Sequence, residues 1–314
     1  MKRVAVTGAA GFLGGAVLTA LADGAGDVTV RAIDRTAPTV PDSRFVAVAG
    51  DLRDAGTVAD LLRDVDIVIH LAALPGGASE ADPAASRSIN LDVPLTLIER
   101  LARSGGVRRL VFAGSIAVFG TPLPDRIDDE TMPLPALTYG AHKLMAEIAL
   151  ADATRRGAVD GVALRLPGLV ARPGAGTGLR SAFLTEVFHA ARDGRDYAVP
   201  VSRDATVWIM SARTAAANVV HAALHPTPRG DRAAMTLPAV RTSMGELVER
   251  IVARTATPAA ITFSPDAATE AQFGALPPLD ARRALAAGYR ADDSLDALVA
   301  TVIADLDHAK ERTR

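Results

Sequence analysis

The chain has 314 residues, room for one large α/β unit or for a main domain with a smaller partner, and at 49% hydrophobic residues it can bury a substantial core. A formal net charge of −2 gives no polyanion-binding signature, no basic run is long enough for nucleic acid, and no apolar stretch reaches the roughly eighteen residues of a membrane span. The absence of cysteine excludes disulfides, thiolate metal sites and thiol nucleophiles, and a reducing cytoplasm is the expected compartment.

Val4–Val6 is a short apolar strand that turns through Gly8 and Gly11 into a helical pattern beginning near Phe12. Glycines suit such a corner because they tolerate positive φ and let a phosphate approach the backbone. The helix N-terminus then offers free N–H groups to a pyrophosphate. Val28–Ile33 is a second strand and ends in Asp34, twenty residues after Gly14. An acidic side chain there accepts the ribose hydroxyls of NAD and repels a 2′-phosphate. NAD is therefore expected, although Arg35 beside it would suit NADP.

Strand Arg44–Val48 runs into Gly50-Asp51-Leu52, Asp54–Arg63 has helical spacing, and Asp66–His70 is a buried strand opening into the small-residue stretch Leu71–Gly77. A helix is expected over Pro83–Arg103, stopped by Gly105 and Gly106; strand Arg109–Ala113, helix Thr138–Arg156 and strand Val162–Leu166 follow. This alternation calls for an α/β fold with a doubly wound, mainly parallel sheet and helices on both faces, covering residues 1–166. Beyond Pro167 the pattern loosens, with helices near Ser181–Arg192, Thr214–Leu224, Met244–Arg254 and Ser294–Glu311, and strand and loop over Asp196–Met210. Residues 167–314 read as a smaller substrate-binding domain over the carboxyl edge of the sheet, some of whose segments return to the first domain.

Tyr139 and Lys143 lie four apart on a predicted helix, so their side chains face the same way. Tyrosine is a poor base while protonated; a nearby ammonium favours the phenolate. Ser115, at the end of the preceding strand, is placed to hydrogen-bond the reacting oxygen. His221 and His225 are four apart without a carboxylate beside them and read as a helix end, so no metal site is expected.

With these residues in place the sequence resembles the extended short-chain dehydrogenase/reductase family over nearly its whole length. Thr7-Gly8-Ala9-Ala10-Gly11-Phe12-Leu13-Gly14 looks like that family's cofactor motif, Gly50-Asp51-Leu52 like its adenine-contacting turn, and His70-Leu71-Ala72-Ala73 like its fourth-strand motif. The resemblance implies a Rossmann domain, bound NAD, and catalysis by Ser115, Tyr139 and Lys143, with Lys143 also on the nicotinamide ribose. It further implies that Asn90 supports the sheet and an active-site water, that Pro167 passes the nicotinamide, and that the helices near 83–103 and 139–156 pair in a homodimer.

One stretch departs from the nucleotide-sugar members of the family. On their Arg-x-Phe-x-His-Val-x-Asp pattern the arginine that grips a diphosphate becomes Thr206 and the histidine Met210, which removes a strong charge-assisted pair. The second half is instead similar to the D-erythronate dehydrogenase branch, through Arg165–Gly174, Ser181–Phe188, Tyr197–Ser202 and Thr206–Ser211. That likeness implies oxidation at C2 of a small sugar acid. Ser115, Tyr139, Arg172, Arg180, Ser181, Arg203 and Trp208 are the candidates to hold it, an arginine being suited to a carboxylate. A nucleotide-sugar epimerase with tightly bound NAD and a non-catalytic dinucleotide-binding redox sensor are the alternatives.

Overall fold

Apolar runs without polar alternation make strands buried on both faces, and turns rich in Gly, Asp and Pro separate them from helices. The first half of the computed structural model follows that grammar, with β1 (Lys2–Thr7), α1 (Phe12–Gly24), β2 (Val28–Asp34), β3 (Phe45–Ala49), α2 (Ala55–Leu61), β4 (Ile67–His70), α3 (Gly76–Ala81), α4 (Pro83–Arg87), α5 (Val93–Ala102), β5 (Arg109–Ser115), α6 (Thr138–Arg155) and β6 (Asp160–Leu166). The second half adds β7 (Gly168–Val170), α7 (Phe183–Arg192), β8 (Tyr197–Val199), β9 (Thr206–Ser211), α8 (Ala212–Leu224), β10 (Ala234–Thr236), β11 (Val240–Ser243), α9 (Met244–Thr255), β12 (Ile261–Phe263), α10 (Ala267–Phe273), α11 (Arg282–Ala286) and α12 (Leu295–Glu311). The structure describes residues 1–24, 26–106, 108–172, 180–225 and 233–311, with no side chain at 180 or at 309–311.

Among the described residues seven strands form one parallel sheet in the order β10-β6-β5-β4-β1-β2-β3. Strand order reverses between β1 and β4, which leaves a crevice at the strands' carboxyl ends where ligands bind in doubly wound folds. α1 and α8 cover one face over a core that includes Val6, Leu18, Leu164 and Val219. α2, α5 and α6 cover the other, around Leu61, Leu97, Phe112 and Leu150. Residues 212–224 and 234–236 thus come back to the first sheet after the chain has left it.

The remaining segments build a second core, with Val187, Phe188, Val207, Leu247 and Val302 packed between α7, α9, α12 and the small sheet β11-β9-β7. A third cluster, Val118, Phe119, Ile127 and Trp208, ties this body to the turn that follows β5. No described helix is long and apolar enough to cross a membrane.

Most expected elements shift by a residue or two at their ends, and two helices differ for a visible reason. The helix expected over 83–103 is interrupted by a π turn at Ser88–Asp92, which brings Asn90 inward. The helix expected over 54–63 begins one residue later and ends at Leu61, because Asp54 is its N-cap, accepting from the Thr57 nitrogen.

Candidate active site

The corner between β1 and α1 is built on a backbone-to-backbone contact. Gly8 has φ +70°, and a Cβ there would stand 2.5 Å from the Ala72 nitrogen. Only glycine meets both demands. Thr7 reinforces the junction: its Oγ1 accepts from the Leu71 and Ala72 nitrogens at 3.3 and 3.4 Å, which leaves its proton for His70 Nδ1 at 2.7 Å. Gly8, Ala10, Gly11, Phe12, Leu13 and Gly14 line the resulting cleft, and Leu71, Ala73 and Pro167 line its far side.

Asp34 closes the rim of the corner. Its Oδ2 accepts from the Ala10 nitrogen at 3.1 Å and its Oδ1 from the Arg35 nitrogen at 2.7 Å. The carboxylate is thereby held beside the glycine turn by main-chain donors, while Arg35 contributes its backbone. Asp51 is paired with Arg53 at 2.5 Å, and that hydrogen bond holds its carboxyl down to about 2. Asp51, Leu52 and Ala72 are not among the residues that line the cleft, and Ala72 contributes the backbone that Gly8 touches.

Asn90 does not reach the cleft. It is fully buried; its Oδ1 accepts from the Leu74 nitrogen at 2.8 Å, and its Nδ2 donates to the Leu74 carbonyl, Ser79 and Ser86. With the amide spent in this way, Asn90 braces the loop after β4 rather than contacting a cofactor.

Ser115 and Tyr139 converge because Gly140 admits the turn after β5 against the first turn of α6. A Cβ at Gly140 would stand 2.0 Å from the Ala117 carbonyl oxygen. The Glu80 carboxylate, from α3, accepts from the Thr138 nitrogen at 2.7 Å and so caps α6 where its own Leu137 has no capping side chain. Ser115 Oγ accepts from the Ala117 nitrogen at 3.1 Å. Burial pushes the Tyr139 phenol up; the positive charge of Arg172 and a hydrogen bond with Ser115 pull it back down. A cation of the second body, Arg172, thus acts on the phenol in addition to Lys143, the one that the spacing of α6 had pointed to.

Lys143 is 1% exposed, and its Nζ donates to the Ala113 carbonyl at 2.8 Å while lying 4.7 Å from the Phe112 ring centre and 5.7 Å from that of Tyr139. Burial brings its ammonium down to about 7. His70 lies behind it, stacked on Phe112, and is pushed to about 3 by burial and by the Lys143 charge. One turn further along α6, Glu147 and Arg165 form a buried ion pair that fastens the helix to β6.

On the second body Arg172, Ser181 and Trp208 face the same cleft as Ser115 and Tyr139. The Arg172 backbone is fixed to α7, its nitrogen donating to Thr185 Oγ1 at 3.2 Å and its carbonyl accepting from His189 Nε2 at 2.7 Å. Trp208 is buried, donates to the Pro277 carbonyl at 2.8 Å, and both shapes the cleft and fills the junction between the two bodies. Arg203 is not part of the site. The turn carrying it lies against α9, where the Gly245 nitrogen donates to its carbonyl, and its exposed guanidinium pairs with Glu249. The Arg180 side chain lies outside the described residues. His142 turns away to Ser86, at 2.8 Å, and His221 bonds the Ala287 carbonyl while stacking on His225.

The description of the NAD-dependent epimerase/dehydratase family matches residues 4–228. The chain belongs to that family. Its cofactor is NAD, and it is an oxidoreductase. It is 33% identical over 98% of its length, and 100% of the other chain, to the D-erythronate dehydrogenase of Cupriavidus necator. It is 32% identical to that of Haemophilus influenzae over 72% of this chain and 73% of the other. Among solved structures it resembles the nucleoside-diphosphate-sugar epimerase from Agrobacterium tumefaciens, with TM-score 0.86, 29% identity, and coverage of 95% of this chain and 92% of that one.

Within this family a NAD-sized cleft is what the residues fit: a cradle at Gly8 that a Cβ would fill, the N-terminus of α1 facing it, and a carboxylate at its rim. At the position where nucleotide-sugar members carry a diphosphate-gripping arginine, Thr206 donates its hydroxyl to the Leu276 carbonyl, and Met210 is core. Neither presents a charge to a ligand.

Proposed function

We propose that the protein oxidises the C2 hydroxyl of a small sugar acid, D-erythronate, to 2-dehydro-D-erythronate with NAD. The observation that carries this reading is the end-to-end likeness to a D-erythronate dehydrogenase in a chain that places Ser115, Tyr139 and Lys143 together at one cleft. NAD supplies the hydride acceptor when bound. Ser115 orients the substrate hydroxyl, Tyr139 takes its proton, and Lys143 holds the nicotinamide ribose and passes charge to the phenol. The C2 hydrogen leaves with its electron pair as the C2–O bond becomes a carbonyl, so one hydride and one proton are removed.

In the same reading Gly8, Ala10, Gly11, Phe12, Leu13 and Gly14 receive the pyrophosphate, Asp34 the adenosine ribose, Asp51 and Leu52 the adenine side, and Leu71, Ala73 and Pro167 the nicotinamide side. Residues 1–166 act as the NAD domain and 167–314 as the substrate domain. The enzyme works in the cytoplasm as a homodimer; Met145 and Ile148 support the latter, standing 43% and 59% exposed on α6 beside α5.

The test is steady NADH formation. D-erythronate should drive it and UDP-sugars should not; an epimerase would convert a nucleotide sugar with no net NADH, and that result would displace the proposal.

A further inference from the structure

We infer that Arg172 is the anchor for the substrate carboxylate, and that it also tunes the Tyr139 base. This rests on the sugar-acid reading above and deepens it. In a 2-hydroxy acid the carboxyl carbon is bonded to the reacting carbon. Whatever holds the carboxylate must therefore lie beside the groups that hold the hydroxyl, Ser115 and Tyr139. A cation elsewhere in the cleft cannot serve both ends of so short a unit.

Arg172 meets that condition. It lines the cleft with Ser115, Tyr139 and Ser181, and it follows β7 directly, so the second body's own sheet aims it. Its backbone is bolted to α7 through Thr185 and His189, which fixes the base of the side chain before a ligand arrives. No carboxylate among the described residues pairs with it. Among the described residues, the other Lys and Arg side chains lining the cleft are engaged: Arg213 pairs with Asp305, and Lys143 donates to the Ala113 carbonyl. A planar guanidinium can grip a carboxylate through two parallel bonds, and burying that anion without a partner would be costly.

The same placement links binding to chemistry. The groups around the Tyr139 phenol are Lys143 on its own helix, Ser115 from β5, Arg172 from the segment after β7, and Glu80 from α3 at the helix start. Of these, Arg172 and Ser115 favour the phenolate. A bound carboxylate neutralises the Arg172 charge, so the phenol titrates at higher pH in the substrate complex than in the free enzyme. The acidic limb of kcat should accordingly lie above that of kcat/KM for the acid, and should not do so for the uncharged D-erythronamide.

The experiment compares wild type with Arg172→Gln and Arg172→Lys, using the intact NAD-loaded enzyme. For Arg172→Gln the KM for D-erythronate should rise at least about 30-fold, the lower end of what a lost buried charge pair costs. The KM for D-erythronamide and the NAD affinity should change far less, while the acidic limb of kcat/KM should move to higher pH for both substrates, with amide turnover falling only below that limb; Arg172→Lys should recover part of the loss. Binding of D-erythronate and of oxalate to the NADH complex, read by NADH fluorescence, gives a measurement independent of turnover. Equal acid binding by wild type and Arg172→Gln, or no acid binding by wild type, overturns the anchor. Failure to oxidise D-erythronate, with oxalate binding that depends on Arg172, would remove the named substrate and leave the anchor standing.

Discussion

Replacing Lys143 with methionine should abolish turnover and yet stabilise the ligand-free protein at neutral pH. In the folded chain burial brings this ammonium from 10.5 to about 7; on unfolding it returns to 10.5. Between those pH values the unfolded state binds the additional proton, so the buried lysine imposes no penalty above 10.5. The penalty grows as pH falls towards 7 and is constant below it. Across that span it amounts to about 5 kcal/mol. Loss of the Nζ bond to the Ala113 carbonyl returns about 1–3 kcal/mol. The net gain at pH 7 is therefore about 2–4 kcal/mol, declining to nothing or to a loss near pH 10. Urea unfolding of both proteins at pH 7, 8.5 and 10 reads the difference directly. A difference independent of pH would refute the reasoning, because it would mean that Lys143 keeps its proton through folding.

Asp34→Ala should weaken NAD binding and narrow the preference over NADP, since the carboxylate both accepts the ribose hydroxyls and repels a 2′-phosphate; a wild type that already prefers NADP would transfer that role to Arg35. If the proposed homodimer forms through α6, wild type should have a dimer's mass by light scattering and Ile148→Glu a monomer's, with the NAD site intact, because the substitution places a charge beside Met145 on that exposed face; a monomeric wild type would remove the homodimer. An unchanged dimer mass would place the interface elsewhere.

The Rossmann half was legible because its signals are local. The glycine corner needs Gly8 at positive φ, the apolar runs show strands buried on both faces, and Tyr139 and Lys143 declare themselves by helical spacing. What the sequence left out depends on contacts between distant segments. Glu80 as the cap of α6, Gly140 as the gap that lets Ser115 meet Tyr139, and the Glu147–Arg165 pair have no neighbourhood pattern. Arg172 and Arg203 look alike in sequence, both being loop arginines of the second half. Only packing separates them, as α7 turns one into the cleft and α9 draws the other to Glu249. Asn90 illustrates the same limit, since a single π turn decides that its amide is spent on Leu74.

The central claim is that a hydride leaves C2 of a sugar acid while Tyr139 takes the hydroxyl proton. D-erythronate carrying deuterium at C2 tests it most directly. Wild type should deliver that deuterium stoichiometrically into NADH, and Tyr139→Phe, with NAD still bound, should transfer it at least about 100-fold more slowly. Unlabelled NADH, or undiminished transfer by Tyr139→Phe, would contradict the account.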